Sequence, residues 1–337
     1  MDELFEYKNY YCVYSDISSN LMNGGEKEGK KPVVSILMPI YNHPDYFKVA
    51  LLSAINQDCN FEYEIIVVDN NHNDYQRMNQ KIIEELNNEK VKYYINTQNI
   101  GAIGNWNRCI ELATAPYVTF CHDDDTLLPT ALSTLLLHLE NIKNKKAAMF
   151  GAMNQIDSYG KNIKNNQFNR GCFFLKRKTF YKFTLYDFLT TNITNGCGSL
   201  YYRECLIELG GFPINFSPCS DYALNVKYVD RYGGYYIEQK TFNYRITDSN
   251  DSYNCYTLIP KVDAEIWRNI MYKLPIPKFL IWPYYKVNLK RFIIYNKLLW
   301  DKNCDSLYQK NFYLNIIDKA IFKLYSMIFS LKKYTFY

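Results

Sequence analysis

From residue 33 onward, short apolar runs alternate with segments of helical periodicity, and no other feature narrows the possible folds as much. Residues 33–41, 64–69, 91–95, 117–121 and 147–153 read as strands. The intervening segments 44–57, 75–87, 103–113 and 129–142 read as helices; in the first, Phe47, Leu51, Ala54 and Ile55 fall on one face. Strands that are apolar throughout and separated by helices belong in a mostly parallel sheet, covered on both faces. Such α/β sheets bind ligands beyond the carboxyl ends of their strands. Tyr41, Asp69 and the run Asp123-Asp124-Asp125 all fall at those ends.

After residue 153 the order changes. A turn at Asp157-Ser158-Tyr159-Gly160 precedes a short helix at 185–191 and a strand at 198–202. A helix at 221–231 and strand-like segments within 235–246 follow, an α+β pattern suited to the second wall of a cleft. Residues 1–31 read as an extension whose second half, SSNLMNGGEKEGKK, is linker-like. The expected organisation is this extension, a body over 32–255 and a helical C-terminal extension over 256–337. The body divides into a ligand-binding half, 32–153, and a second half, 154–255.

The chain has 337 residues, of which 48% are hydrophobic, enough for a large core. A net charge of +5 tolerates anionic ligands, and without a recognised module it argues against nucleic-acid binding. The ten cysteines contain no CxxC pair, which points away from a zinc site or a disulfide framework and toward the reduced thiols of a cytoplasmic protein. The first residues, MDELFEYKNYYCVY, lack the basic and apolar regions of a signal peptide. No apolar stretch reaches the length of a membrane span.

Three adjacent carboxylates at the end of an apolar strand repel one another unless a cation sits among them. Asp123, Asp124 and Asp125 therefore suit a hard divalent ion, Mg²⁺ or Mn²⁺, with open positions for phosphate oxygens. The competing reading is an acidic helix N-terminus, favoured by capping and the helix dipole.

Several short motifs, in order, resemble glycosyltransferase family 2. Pro39-Ile40-Tyr41-Asn42 closes a strand like that family's P-x-Y-N turn, and Val67-Val68-Asp69-Asn70 is similar to its acid-ended second strand. Asn99-Ile100-Gly101 with Asn105-Trp106-Asn107 resembles its N-x-G…N segment. His122 to Asp125, then Leu127 and Pro129, resembles D-x-D-D-x-L-x-P, with His122 in place of the first acid. Leu209-Gly210-Gly211-Phe212 and Ser220-Asp221 resemble the segments before and at the acceptor-side helix, with Ser220 in place of Glu. Tyr244-Arg245 with Asn250-Asp251-Ser252 resembles the closing Y-R…S.

The resemblance covers about residues 33–252. It implies a GT-A fold: a Rossmann-like, mostly parallel sheet flanked by helices. It implies an inverting transfer from a nucleotide sugar, with a UDP-sugar expected, and Asp221 as the general base. It places Pro39, Tyr41, Asn42, Asp69, Asn99, Gly101, Asp123, Gly211 and Arg245 around the donor, with Tyr41 on the base, Asp69 accepting from its imide N–H and Asp123 on the ribose. Asp124, with Asp123 and Asp125, would hold Mn²⁺ or Mg²⁺. The expected acceptor is a glycan or a lipid-linked saccharide of bacterial surface polysaccharide, at the cytoplasmic face of the membrane. A nucleotidyltransferase and an inactive scaffold of the same fold are the rivals. The tail after residue 256 mixes aromatic and basic residues, which fits an anionic membrane surface or a packing and dimerisation module.

Overall fold

The computed structural model describes residues 3–25, 31–163, 179–190, 196–247, 255 and 257–300, with single positions between 317 and 327. Its elements are β1 (Ser19–Asn23), β2 (Val34–Ile40), α1 (Pro44–Ile55), β3 (Tyr63–Asp69), α2 (Asp74–Leu86), β4 (Val91–Asn96), α3 (Gly101–Leu112), β5 (Tyr117–Phe120), β6 (Thr126–Leu127) and α4 (Ala131–Glu140). There follow β7 (Ala148–Ile156), β8 (Phe180–Phe183), α5 (Leu185–Thr190), β9 (Ser199–Tyr202), α6 (Arg203–Glu208), α7 (Ser220–Tyr232), β10 (Gly234–Arg245), α8 (Ile259–Lys273) and α9 (Lys278–Trp300). Asn250, Asp251 and Ser252 of the closing motif lie outside the described residues.

The strands form one sheet in the order β1-β4-β3-β2-β5-β9-β7-β10-β6, with β8 also on β10. Strands β4, β3, β2 and β5 run parallel, as the apolar runs predict. The expectation of a mostly parallel sheet holds for this half. Beyond it β9 runs against both neighbours, and β6 and β8 run against β10, so the whole sheet is mixed.

Every residue of β2 and β3 is buried, because helices cover both faces. Alternate side chains serve different cores. Leu37, Ile66 and Val68 join Phe120, Phe150 and helices α3, α6, α7 and α8 on one face. Ile36, Met38, Ile65 and Val67 join Phe47, Leu51 and the leucines of α4 on the other. Ile40 pairs with Asp69, and Asp69 with Ile95, so the carboxyl ends of three strands finish level. That shared edge carries the site.

The segment read as an N-terminal extension contributes to this body. β1 pairs antiparallel with β4, and Leu4 is 1% exposed within the core. Helix α8 packs behind α7, where Trp267 Nε1 donates to Tyr222 OH at 3.1 Å.

Candidate active site

The site is assembled from the loops that follow β2, β3 and β5, with α7 and the end of β10 closing it. After β2 the chain turns at Asn42, a non-glycine residue at φ 65°. Asn tolerates this left-handed geometry better than most residues. The turn is tied from two sides. Tyr41 N–H donates to Asp123 Oδ2 at 2.7 Å, and Asn42 N–H donates to Asn71 Oδ1 at 3.0 Å. The Tyr41 side chain is left 46% exposed, while Pro39 is buried in β2.

Asp69 is completely buried, and both its oxygens are engaged. Oδ1 accepts from the backbone and side-chain amides of Asn71, each at 2.8 Å. Oδ2 accepts from Tyr93 OH at 2.7 Å and Asn79 Nδ2 at 3.1 Å. Four donors match the capacity of an ionised carboxylate. Asp69 therefore anchors the turn after β3; in this arrangement it is not a free acceptor for a base. Asn99 is likewise committed, accepting from Gly101 N–H at 2.8 Å and Asn70 Nδ2 at 2.7 Å. Asn70 Oδ1 in turn accepts from Asn96 Nδ2 and Ile100 N–H, and Asn96 reaches Asn105. This chain of amides locks the loop from Asn99 to Gly101 against the strand ends, with Ile100 buried and Asn99 and Gly101 exposed. Asn70, Asn99 and Asn105 belong to the motifs noted in the sequence, whereas Asn96 belongs to none of them.

The acidic run does not act as a block. Asp123 accepts the Tyr41 N–H through Oδ2. One ligand atom each from His122, Asp124 and Asp125 lies within 4.8 Å of the others. Asp125 is 1% exposed; its Oδ1 accepts from Arg245 N–H at 2.9 Å, and its Oδ2 has no hydrogen-bond partner. That orphaned oxygen lies 3.7 Å from His122 Nδ1. Trp106 stacks on the imidazole at 5.4 Å and meets Phe212 edge-on. His122 thus joins the ligand set in which Asp123 was expected.

Electrostatics describe the same site. Burial, then the charges of Asp125 and Asp123, hold the Asp124 carboxyl well above the usual range. Burial pushes Asp123 up to about 7. Burial opposes a charged His122, but the three carboxylates outweigh it and raise the imidazole to about 9. Two carboxylates and an imidazole, one oxygen buried without a partner, form a donor set that Mn²⁺ or Mg²⁺ fits.

Arg245 was expected at the donor. It is 4% exposed, and its Nε donates to Asp124 O at 2.7 Å. Its Nη1 donates to the carbonyls of Asp157 and Ser158, and the guanidinium lies 4.6 Å from the Tyr46 ring centroid. The residue secures the loop that bears the acids. Gly211 was expected at the donor. A Cβ there would lie 2.5 Å from Asn107 Oδ1 and 2.9 Å from Tyr11, so its bareness serves packing.

Asp221 occupies the first turn of α7, partly exposed. Burial raises its carboxyl, while the Tyr222 backbone N–H and the charge of His122 draw it back down.

A sequence profile for glycosyl transferase family 2 matches residues 35–210, more than half of the chain. The chain belongs to glycosyl transferase family 2. Among its family 2 relatives, a GalNAc(5)-diNAcBac-PP-undecaprenol beta-1,3-glucosyltransferase of Campylobacter jejuni is 37% identical over 109 residues. That match spans 31% of this chain and only 34% of the relative's own length. The fold is shared with TarS of S. aureus, solved with UDP-GlcNAc, at TM-score 0.57 and 17% identity over 88% of this chain and 80% of that one. It is shared too with the mannosyltransferase PcManGT of Pyrobaculum calidifontis, solved with GDP-Man and Mn²⁺, at TM-score 0.54 and 14% identity over 91% and 82% of the two chains. The family 2 chain described here therefore has the GT-A fold.

Proposed function

We propose that this family 2 protein is an inverting, metal-dependent glycosyltransferase. It moves a sugar from a nucleotide-sugar donor, a UDP-sugar by preference, to a glycan or lipid-linked acceptor in bacterial surface-polysaccharide assembly at the cytoplasmic face of the membrane. The observation that carries this reading is the His122–Asp124–Asp125 cluster, whose ligand atoms lie within 4.8 Å of one another just beyond β5 in a family 2 chain.

In this reading His122, Asp124 and Asp125 hold the divalent ion, which when bound neutralises the charge that grows on the departing diphosphate. Tyr41, half exposed beside the cluster, offers its ring to the base. Asp69 acts indirectly, by fixing the Asn71 amide that sets the Tyr41–Asn42 turn. On the other wall, Asp221 accepts the proton of the acceptor hydroxyl as that oxygen attacks the anomeric carbon. The bond from that carbon to the diphosphate oxygen breaks on the opposite face, and the configuration inverts. A carboxyl raised by burial is a better proton acceptor than an ordinary aspartate.

The test is calorimetry with UDP, GDP and dTDP in Mn²⁺ or in chelator. UDP should bind best and only with the metal, and Asp124→Ala should lose the metal-dependent part. Equal binding in chelator, or a clear preference for GDP, overturns the corresponding part of the reading.

A further inference from the structure

The C-terminal helix α9 presents a face that the transfer chemistry does not use. Between residues 271 and 300 the chain carries Lys273, Lys278, Lys286, Lys290, Arg291 and Lys297 and no acidic residue. The inner side of α9 is anchored: Ile281, Tyr284 and Val287 are buried, and Tyr284 OH donates to the carbonyl of Leu189. On the outer side Phe279 is 77% and Trp282 60% exposed. Lys286 and Lys290 are also exposed, and spacings of three and four place all four residues on one stripe. Trp282 is preorganised, stacked on Tyr285 at 5.5 Å with Lys286 Nζ 5.0 Å from its ring centroid. A second segment docks alongside, where Tyr325 OH donates to Leu280 O at 2.6 Å. It too leaves Leu324 and Met327 exposed beside Lys323.

Large apolar side chains held out in water next to lysines need an explanation. A second copy of the chain meeting this face through a two-fold axis would set Lys286 and Lys290 against their own kind. A bilayer with anionic headgroups satisfies both halves of the surface: the rings enter the headgroup–acyl boundary and the ammonium groups remain at the phosphates. None of the described helices is long and apolar enough to cross a membrane. We infer that the Phe279–Trp282–Lys286–Lys290 stripe of α9 docks the protein flat on an anionic phospholipid surface. The stripe belongs to the half that carries Asp221, since α9 rests on α5 through Leu189, and α5 on α7 where Tyr222 OH meets the Phe188 carbonyl.

The experiment is cosedimentation of the full chain with phosphatidylcholine vesicles, with and without phosphatidylglycerol, at low and high salt. Binding should require phosphatidylglycerol and fall steeply with salt. Lys286→Gln should weaken it about fivefold, the effect of one basic residue at a charged surface. A Phe279→Ser, Trp282→Ser double variant should weaken it by about tenfold or more. These positions are exposed, so circular dichroism should be unchanged. Absence of binding at low salt overturns the inference, as does binding indifferent to all three substitutions. Gel filtration showing that the same substitutions dissolve a dimer overturns it too and assigns the face to self-association. Nucleotide binding in the same samples reports separately on the proposed sugar transfer.

Discussion

At the scale of single residues, the site divides labour among carboxylates that look alike in the sequence. Asp69 is held by four donors, and Asp123 accepts the Tyr41 N–H through one oxygen. Asp124 and Asp125 face the imidazole of His122. Asp221 stands apart on α7, with its carboxyl raised by burial. This predicts a clean separation of effects. Asp221→Asn preserves shape and removes the proposed proton acceptor, so UDP binding should be unchanged while turnover falls about 10²- to 10⁴-fold. The sign of the pH dependence follows from the raised pKa: the base works when deprotonated, so wild-type turnover should climb with pH through a value above the ordinary aspartate range. Near-normal turnover of the variant would move the base elsewhere, and loss of nucleotide binding would make Asp221 a capping residue instead.

At the scale of elements, the decisive pieces are those that cross between the halves. β10 runs parallel to β7 over its twelve residues, but its register shifts around Ile237, Lys240 and Phe242. Its first part takes β8 and its last part takes β6, which delivers Arg245 to the acidic loop. The exposed Glu238, Gln239 and Lys240 interrupt the apolar alternation there, which is why the sequence reads as fragments of strand. The turn after α6 is equally constrained. Gly210 has φ +83°, and a Cβ on it would lie 1.9 Å from the Lys8 carbonyl oxygen. Tyr10 N–H donates to Gly210 O at 2.9 Å in the same contact. Gly210→Ala should therefore lose roughly 1–3 kcal/mol from the backbone conformation alone, and more from the displaced N-terminal segment. A melting temperature within a degree or so of wild type would show that the segment yields without cost.

At the scale of the whole molecule, the N-terminal segment laps over the α/β body and reaches helix α8. Arg108 Nη2 donates to Tyr14 O at 3.0 Å, and Lys273 Nζ lies 4.1 Å from the Phe5 ring centroid, so the first residues touch the end of α8. Helix α8 also brings Asp263 to Cys219, just before α7. That side chain is 1% exposed, with one oxygen lacking a hydrogen-bond partner. Burial pushes its carboxyl up to about 7; the Cys219 thiol opposes the shift and the Asp221 charge adds to it. A raised acid pKa means that the folded chain holds the proton longer than the unfolded one. Its stabilising effect is complete below the unfolded value of about 4 and is lost as pH rises toward 7. Asp263→Asn removes that loss. Its melting temperature should pull ahead of wild type between about pH 4 and about pH 8, where the folded wild type must bury a charge. A gap independent of pH would mean that this carboxyl does not titrate in that range.

The boundaries of the first half were legible because its strands are buried on both faces and its helices on one, and burial writes itself into apolar periodicity. The run at 64–69 is β3 less one residue, and 44–57 contains α1. The same alternation put Tyr41, Asp69 and the acidic run at the carboxyl ends of strands, where the structure has them. The sequence was silent on β1, whose SNLMN reads as linker, and on the two-residue β6, since edge strands gain their order from a neighbour's hydrogen bonds and carry no pattern of their own. Nor could it apportion Asp69, Asp123, Asp124 and Asp125 between anchoring and ligand duty. A carboxylate's role depends on which donors reach it, and those donors come from Tyr41, Asn71, Asn79, Tyr93 and Arg245, residues brought together only when the strand ends are level and β10 closes the sheet.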